Sequence, residues 1–247
     1  MGSVHSHSQS EKVSARAPEF SGKHFENERL TLSTPSDFIQ FNPIQLSATV
    51  PENTTALREA CTTLAAHDLH TGYTGTDLIG SNGNVSIRRA HNGMSSGFVI
   101  TATQLPSKKN LAPEDCVHLE TCANGEARFH GSKLPSSESI MHWHLFETFP
   151  AIQAIVHVHE SNAQLYSESN RSRWAELGIV ESAQDIGGGT IEVGRATAET
   201  FTTESSYVIL KNHRPDWDPD RTGTVILGRT LKEALTRTLK IHEALKE

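Results

Sequence analysis

No run of the chain approaches the roughly 20 consecutive apolar residues that span a bilayer, and Met1 to Ser8 lack the apolar core of a secretory signal. A soluble, cytoplasmic protein is expected. Basic charge is not in excess either: 22 Lys and Arg stand against 29 Asp and Glu, for a net charge of −7. Such a balance offers no general attraction to nucleic acid or to an anionic membrane, and neither is expected as a partner. Cysteine is scarce. Cys61, Cys116 and Cys122 form an odd set without CxxC spacing, so neither a disulfide framework nor a thiolate metal cage is indicated, and reducing cytosol fits. No internal repeat is visible.

What the chain has is bulk, with 247 residues and 36% hydrophobic content, enough to fill a core. Residues 1–45 mix Ser, His, Lys, Glu and Pro with few spaced apolar positions, which predicts a disordered or loosely docked arm ahead of one domain at 46–247. His5, His7 and His24 belong to that arm and read as solvated. After Pro51, Thr54 or Thr55 is placed to cap a helix whose Leu57, Cys61, Leu64, Ala65 and Leu69 recur at helical spacing until Gly72. Short strands follow: Val85 to Arg88, a turn at Asn92-Gly93, Gly97 to Thr103, then Cys116 to Leu119 and a turn at Asn124-Gly125. A meander is expected.

Pro135-Ser136-Ser137-Glu138 predicts a helix start, because a serine cap and a first-turn carboxylate satisfy free amides and suit the helix dipole. Phe149-Pro150 ends that helix. Beyond it the pattern predicts helices at 161–169 and near 195–203, buried strands at Tyr207 to Leu210 and Thr224 to Leu227, and a last helix at 231–245. The polar residues 214–222 read as an insertion. Strands flanked by helices make a mixed α/β sandwich.

The stretch that organises the rest is Ala154-Ile155-Val156-His157-Val158-His159. In a strand, side chains two apart leave the same face, so His157 and His159 point together and can share a divalent ion. His213, just past the end of a buried strand, is the best third ligand. Three neutral imidazoles with an open position describe a Lewis acid catalyst. The competing reading makes His157 and His159 satisfied core histidines and His213 an exposed loop residue. Glu138 is the candidate acid/base, against a plain capping role. Ser136 and Ser137 beside free helix amides suit a phosphate or are simple caps, and Asn84 within Gly80 to Asn84 offers an amide to an oxyanion or merely makes a turn. Lys108 and Lys109 add charge to such a pocket or are simply a solvated surface pair. His118, His130, His142 and His144 read as decoys.

Gly83-Asn84-Val85-Ser86, Ile100-Thr101-Ala102-Thr103, Leu111 to Asp115, Pro135-Ser136-Ser137-Glu138 with His142, His157-Val158-His159 and Asn212-His213 share the order and spacing of the class II aldolase/adducin family. The likeness covers roughly residues 50 to 247, and the serine-serine-glutamate and two-histidine motifs are its specific part. The resemblance implies a three-layer α/β/α sandwich around a central, mainly antiparallel sheet, assembled as a homotetramer with small-molecule active sites. It implies Zn2+, or another divalent cation such as Mn2+ or Co2+, on His157, His159 and His213, with Glu138 as the catalytic glutamate. Phosphate contacts would fall on Asn84, Thr103, Ser136 and Ser137. The implied activity is that of an aldolase-type carbon-carbon lyase acting on a hydroxy-carbonyl compound, a sugar or sugar phosphate, through a metal-stabilised enediolate. Epimerase, dehydratase, decarboxylase and non-catalytic adducin-like members are the alternatives, and glutamate at 138, where the epimerase branch carries aspartate, favours cleavage. Three departures stand out: Gln104 replaces a glycine, Arg214 and an insertion replace the glycine after the third histidine, and no tyrosine follows His159 at the usual distance.

Overall fold

β-Branched and aliphatic runs separated by turn residues build the body of the protein around one nine-stranded sheet, seen in a computed structural model that describes residues 39–75, 79–91, 94–185, 188–203 and 205–247. In chain order the elements are β1 (Asn42–Ser47), α1 (Thr55–Ala66), β2 (Gly72–Thr74), β3 (Ile79–Ser81), β4 (Asn84–His91), β5 (Met94–Thr101), β6 (Cys116–Ala123) and β7 (Glu126–His130). They continue with α2 (Ser139–Thr148), β8 (Ala154–Ser161), α3 (Asn162–Leu165), α4 (Glu168–Leu177), β9 (Ile179–Glu181), α5 (Ile191–Thr200), β10 (Tyr207–Ile209), β11 (Arg221–Gly228) and α6 (Leu231–Ala244). The sheet order is β1-β7-β6-β5-β4-β8-β11-β10-β9, and β2 and β3 make a separate small pair. Only the outermost pairings, β1 with β7 and β10 with β9, are parallel. The mainly antiparallel sandwich expected from the resemblance is therefore observed.

The meander reads as expected. Asn124 and Gly125 both take positive φ, 54° and 77°, the conformation of a tight hairpin turn between β6 and β7. Asn92-Gly93 lies outside the described residues, although β4 and β5 pair on either side of it. Most of the arm, residues 1–38, also lies outside them. Its last residues do not form an arm: Ile39 and Phe41 are buried, and β1 pairs with β7 from Asn42 onward. Apolar side chains in a mostly polar stretch carry too weak a period to show this from sequence.

Three helix ends differ from expectation for local reasons. α1 stops at Ala66, not near Gly72, because Asp68 turns left-handed (φ 57°) and the amides of Asp68 and Leu69 return to Ala65 and Leu64 in a Schellman motif. Leu69 is still fully buried, reached from the loop. The helix expected from 161 to 169 is two helices, broken where Ser167 accepts the Asn170 amide and caps α4. α5 begins earlier than expected, at Ile191, with the Thr190 hydroxyl accepting from the Val193 amide.

The alternation of β8 decides where the site sits. Val156, Val158 and Glu160 face the layer of α1 and α6, where Glu160 meets His242 of α6 at 2.7 Å, both fully enclosed. His157 and His159 face the opposite layer, that of α2 and α5. No helix among the described residues is long and apolar enough to cross a membrane.

Candidate metal centre

β8 is paired with β11 along its whole length and with β4 from Ala154 to His157, and the His159 amide bonds the Leu69 carbonyl at 3.1 Å, so its side chains are fixed in direction. The imidazoles of His157 and His159 stand 5.0 Å apart, centre to centre. His213 arrives from another element. Asn212 takes a positive φ of 54°, the His213 amide returns to Leu210 and its carbonyl accepts the Gly223 amide at 2.8 Å, which turns the ring into the cleft. It lies 5.2 Å from the His157 ring and 5.5 Å from that of His159. One ligand atom from each of the three lies within 4.8 Å of the others. Gly223 leaves the space they need, since a Cβ there would strike the His213 ring and come within 2.9 Å of His157.

The electrostatics suit a cation. Burial, then the neighbouring imidazoles, push His157 and His159 well below the usual histidine range, so both are neutral with a free lone pair. His157 donates from Nδ1 to the Thr224 carbonyl at 2.9 Å, the outer hydrogen bond that fixes a ligating histidine and leaves Nε2 as the ligand atom. Nδ1 of His159, Nδ1 of His213 and Oε2 of Glu138 are buried without a hydrogen-bond partner among the described residues. Such a donor set, three imidazoles with a spare carboxylate oxygen alongside, fits a divalent ion with an open coordination position. The cysteines do not compete, because burial pushes all three thiols up to about 12.

Glu138 is not in the first helical turn as expected. It occupies the cap position before Ser139 and makes no cap with its side chain, which turns away from the helix instead. Oε1 accepts the Gly189 amide at 3.1 Å and lies 3.9 Å from Nε2 of His213. Ser136 takes over at the helix start: its hydroxyl accepts the Glu138 amide at 3.3 Å and Nδ2 of Asn84 at 3.1 Å. Asn84 stands directly opposite His157 in the β4–β8 register. Thr103 joins the group because an isolated bridge between Ala102 and Pro135, and a bond from the Thr103 amide to Leu134, bring the two loops together. Ser137 is half-buried beside them. The histidines, Glu138, Asn84 and Ser136 thus lie together over β4 and β8 in the middle of the sheet, with the Thr103 backbone tied to the loop ahead of α2.

Among the described residues the metal-capable group includes none of His118, His130, His142 and His144. His142 is fully buried behind it, with Nδ1 2.6 Å from the Ser86 hydroxyl. His130 lies across the sheet on β7, bonded to Ser47 and Glu120 and stacked on His118. Lys108 is not solvated. It is 3% exposed, with its ammonium donating to the Ser81 carbonyl, the Ser81 hydroxyl and the Asn82 carbonyl, and burial lowers its pKa to about 8. Sequence reading also missed His70, which bonds the His157 carbonyl at 3.2 Å, and the Gly188-Gly189 floor under Glu138. The run of glycines was the one signal available for the latter, since a Cβ at Gly188 would strike the Glu138 carboxylate.

Residues 56–247 match the family described as Class II Aldolase and Adducin N-terminal domain. The methylthioribulose-1-phosphate dehydratase of Yersinia pseudotuberculosis (serotype O:3, strain YPIII) is 25% identical over 130 residues, 53% of this chain and 55% of that enzyme. The chain therefore spans about half the length of these dehydratases. The 5-methylthioribulose-1-phosphate/5-deoxyribulose-1-phosphate aldolase of Rhodospirillum rubrum is 27% identical over 165 residues, 66% of this chain and 69% of that enzyme. Among solved structures, an L-fuculose 1-phosphate aldolase superposes with a TM-score of 0.58 at 21% identity, over 80% of this chain and 85% of that one. This last likeness is one of fold.

Proposed function

The chain belongs to the class II aldolase and adducin N-terminal domain family, and from that premise we propose that it is a divalent-metal-dependent lyase that cleaves a carbon-carbon bond in a hydroxy-carbonyl compound, a sugar or sugar phosphate. The observation that carries this reading is the triad itself: three buried imidazoles with ligand atoms within 4.8 Å of one another, and the Glu138 carboxylate 3.9 Å from His213. Zinc as the ion, cytoplasmic location and tetrameric assembly belong to the same proposal.

His157, His159 and His213 would hold the ion. Bound there, a divalent cation supplies Lewis acidity, polarising a carbonyl and its neighbouring hydroxyl so that the negative charge left by bond cleavage is stabilised. Glu138 moves the proton. Its Oε1 is fixed by the Gly189 amide, while Oε2 has no partner among the described residues and is the oxygen available to take and return it. Asn84, Ser136, Ser137 and Thr103 bind the oxygens at the far end of the substrate. Asn84 and Ser136 are already bonded to each other, so they reach the ligand as a set and little side-chain freedom is lost on binding.

Dehydration is the second reading, favoured by the names of the Yersinia relatives. The two separate by product: cleavage yields two carbonyl fragments from a ketose phosphate, dehydration yields one product lighter by water. An adducin-like binding role predicts no stoichiometric metal. The deciding measurement is metal content of the full-length protein against its His157→Ala/His159→Ala variant, in which the arm histidines are unchanged. One tightly held ion per chain should vanish with the pair, and turnover with it. Equal metal content in both would refute the site.

A further inference from the structure

The segment 214–222 starts at His213 and ends at Gly223, and both ends are pinned at the triad by the Gly223 amide donating to the His213 carbonyl. Between these points the chain turns at Pro215 to Asp218, closed by the Asp218 amide on the Pro215 carbonyl. Two consecutive side chains then reach across to another part of the molecule. Oδ2 of Asp218 accepts from Nδ2 of Asn82 at 2.7 Å and from the Thr71 hydroxyl at 2.8 Å, and Asn82 is 4% exposed. Trp217 stacks on Tyr73 of β2 with ring centres 5.4 Å apart and planes at 21°. Arg221 closes the circuit, lying 3.8 Å from the Asp218 carboxylate and donating to the His159 carbonyl at 3.2 Å.

What these contacts hold is the turn that presents Asn84. Lys108 fastens the main chain of that turn at Ser81 and Asn82. The Asn82 side chain has no such help from its own neighbours and rests on Asp218 and Thr71. Asn84 follows two residues later, opposite His157.

We infer that Asp218 is a positioning residue: the 214–222 segment is a strap, anchored at the third histidine, that holds the 80–84 turn and thereby aims the Asn84 amide at the substrate. The inference rests on the reading of Asn84 as a substrate contact. It gives the segment that reads as an insertion against the family pattern a task, since the strap spans from the histidines to the turn. A lost strap leaves the triad complete but lets the turn move.

The test uses full-length Asp218→Ala, Asp218→Asn and, as a control in the same segment, Asp220→Asn, whose carboxylate is exposed. Zn2+ is titrated alone, then phosphoglycolohydroxamate, which carries phosphate oxygens beyond its chelating end, is titrated into Zn2+-loaded protein as the probe, and amide hydrogen exchange is followed over residues 79–84. Asp218→Ala should keep one Zn2+ per chain, weaken the probe about tenfold through the shared acceptor that Asn82 and Thr71 lose, and speed exchange in the turn. Asp218→Asn keeps an oxygen that accepts both bonds and should restore probe binding to within about twofold. Probe binding by Asp218→Ala equal to that of the unaltered protein, or an equal loss in Asp220→Asn, overturns the strap. Should the unaltered protein take up neither Zn2+ nor probe, the functional reading fails by itself. The exchange comparison then decides alone: faster exchange in Asp218→Ala supports the strap, unchanged exchange overturns it.

Discussion

The two sides of the candidate metal centre are made in different ways. One is a wall of paired strands, in which β4, β8 and β11 lock His157 and His159 by register and Gly223 leaves room for the third ring. The other is assembled from loops distant in sequence: Gly188-Gly189, the start of α2 and the 80–84 turn. The wall has little freedom to relax, because β8 is paired with β11 along its whole length and with β4 as far as His157. On the loop side the two side chains are each held by one bond, an amide on Glu138 and a hydroxyl on Asn84. Metal holding should therefore depend on the wall, and chemistry on the loops.

Glu138→Gln gives the largest separation of the two. The amide keeps the acceptor that meets the Gly189 amide but cannot take a proton, so turnover should fall about 10^2- to 10^4-fold. Metal content should stay at that of the unaltered protein. The comparison breaks if the variant loses its ion, for then the carboxylate belongs to the wall's task.

Gly223→Ala attacks the wall. The added Cβ meets the His213 ring and comes within 2.9 Å of Cε1 of His157, and β11 cannot retreat because it is paired with β8 along its whole length. Overpacking of this kind costs about 1–3 kcal/mol. A matching fall in the urea midpoint should accompany weaker metal binding. Intact metal affinity in a fully folded variant would mean that the rings, not the strand, have the slack.

The same division explains what could be read from the amino acids alone. Alternation along Ala154 to His159 is local, and it puts two histidines on one face from the sequence alone. The Asn124-Gly125 turn and the meander were legible for the same reason, since a period of two and a left-handed turn residue are properties of neighbours. Glu138 could be named but not placed: its motif reads as a helix cap, and the contact that draws it off the helix comes from Gly189, 51 positions away. Lys108 was misjudged because exposed Lys109 beside it is indistinguishable from it in sequence, and only the fold brings Ser81 and Asn82 to its ammonium. Asp218 had no signal at all in its own stretch.

Gln104 gives the smallest and sharpest test of how the loop side works. Members of the family that carry glycine here, as the resemblance implies, would use its amide for phosphate, and Gln104 already holds the left-handed backbone (φ 54°) that glycine favours. The conformation is therefore kept while the residue is changed. Gln104→Gly relieves the strain of a side chain at positive φ but adds freedom to the unfolded chain, two effects of opposite sign that leave a net change under about 1 kcal/mol. Inorganic phosphate binding, measured by calorimetry on the metal-loaded protein, should change by less than about threefold, since the amide points the same way in both. A larger gain would show that the glutamine side chain screens the amide, and that this loop differs from its relatives in what it admits as well as in what it is made of.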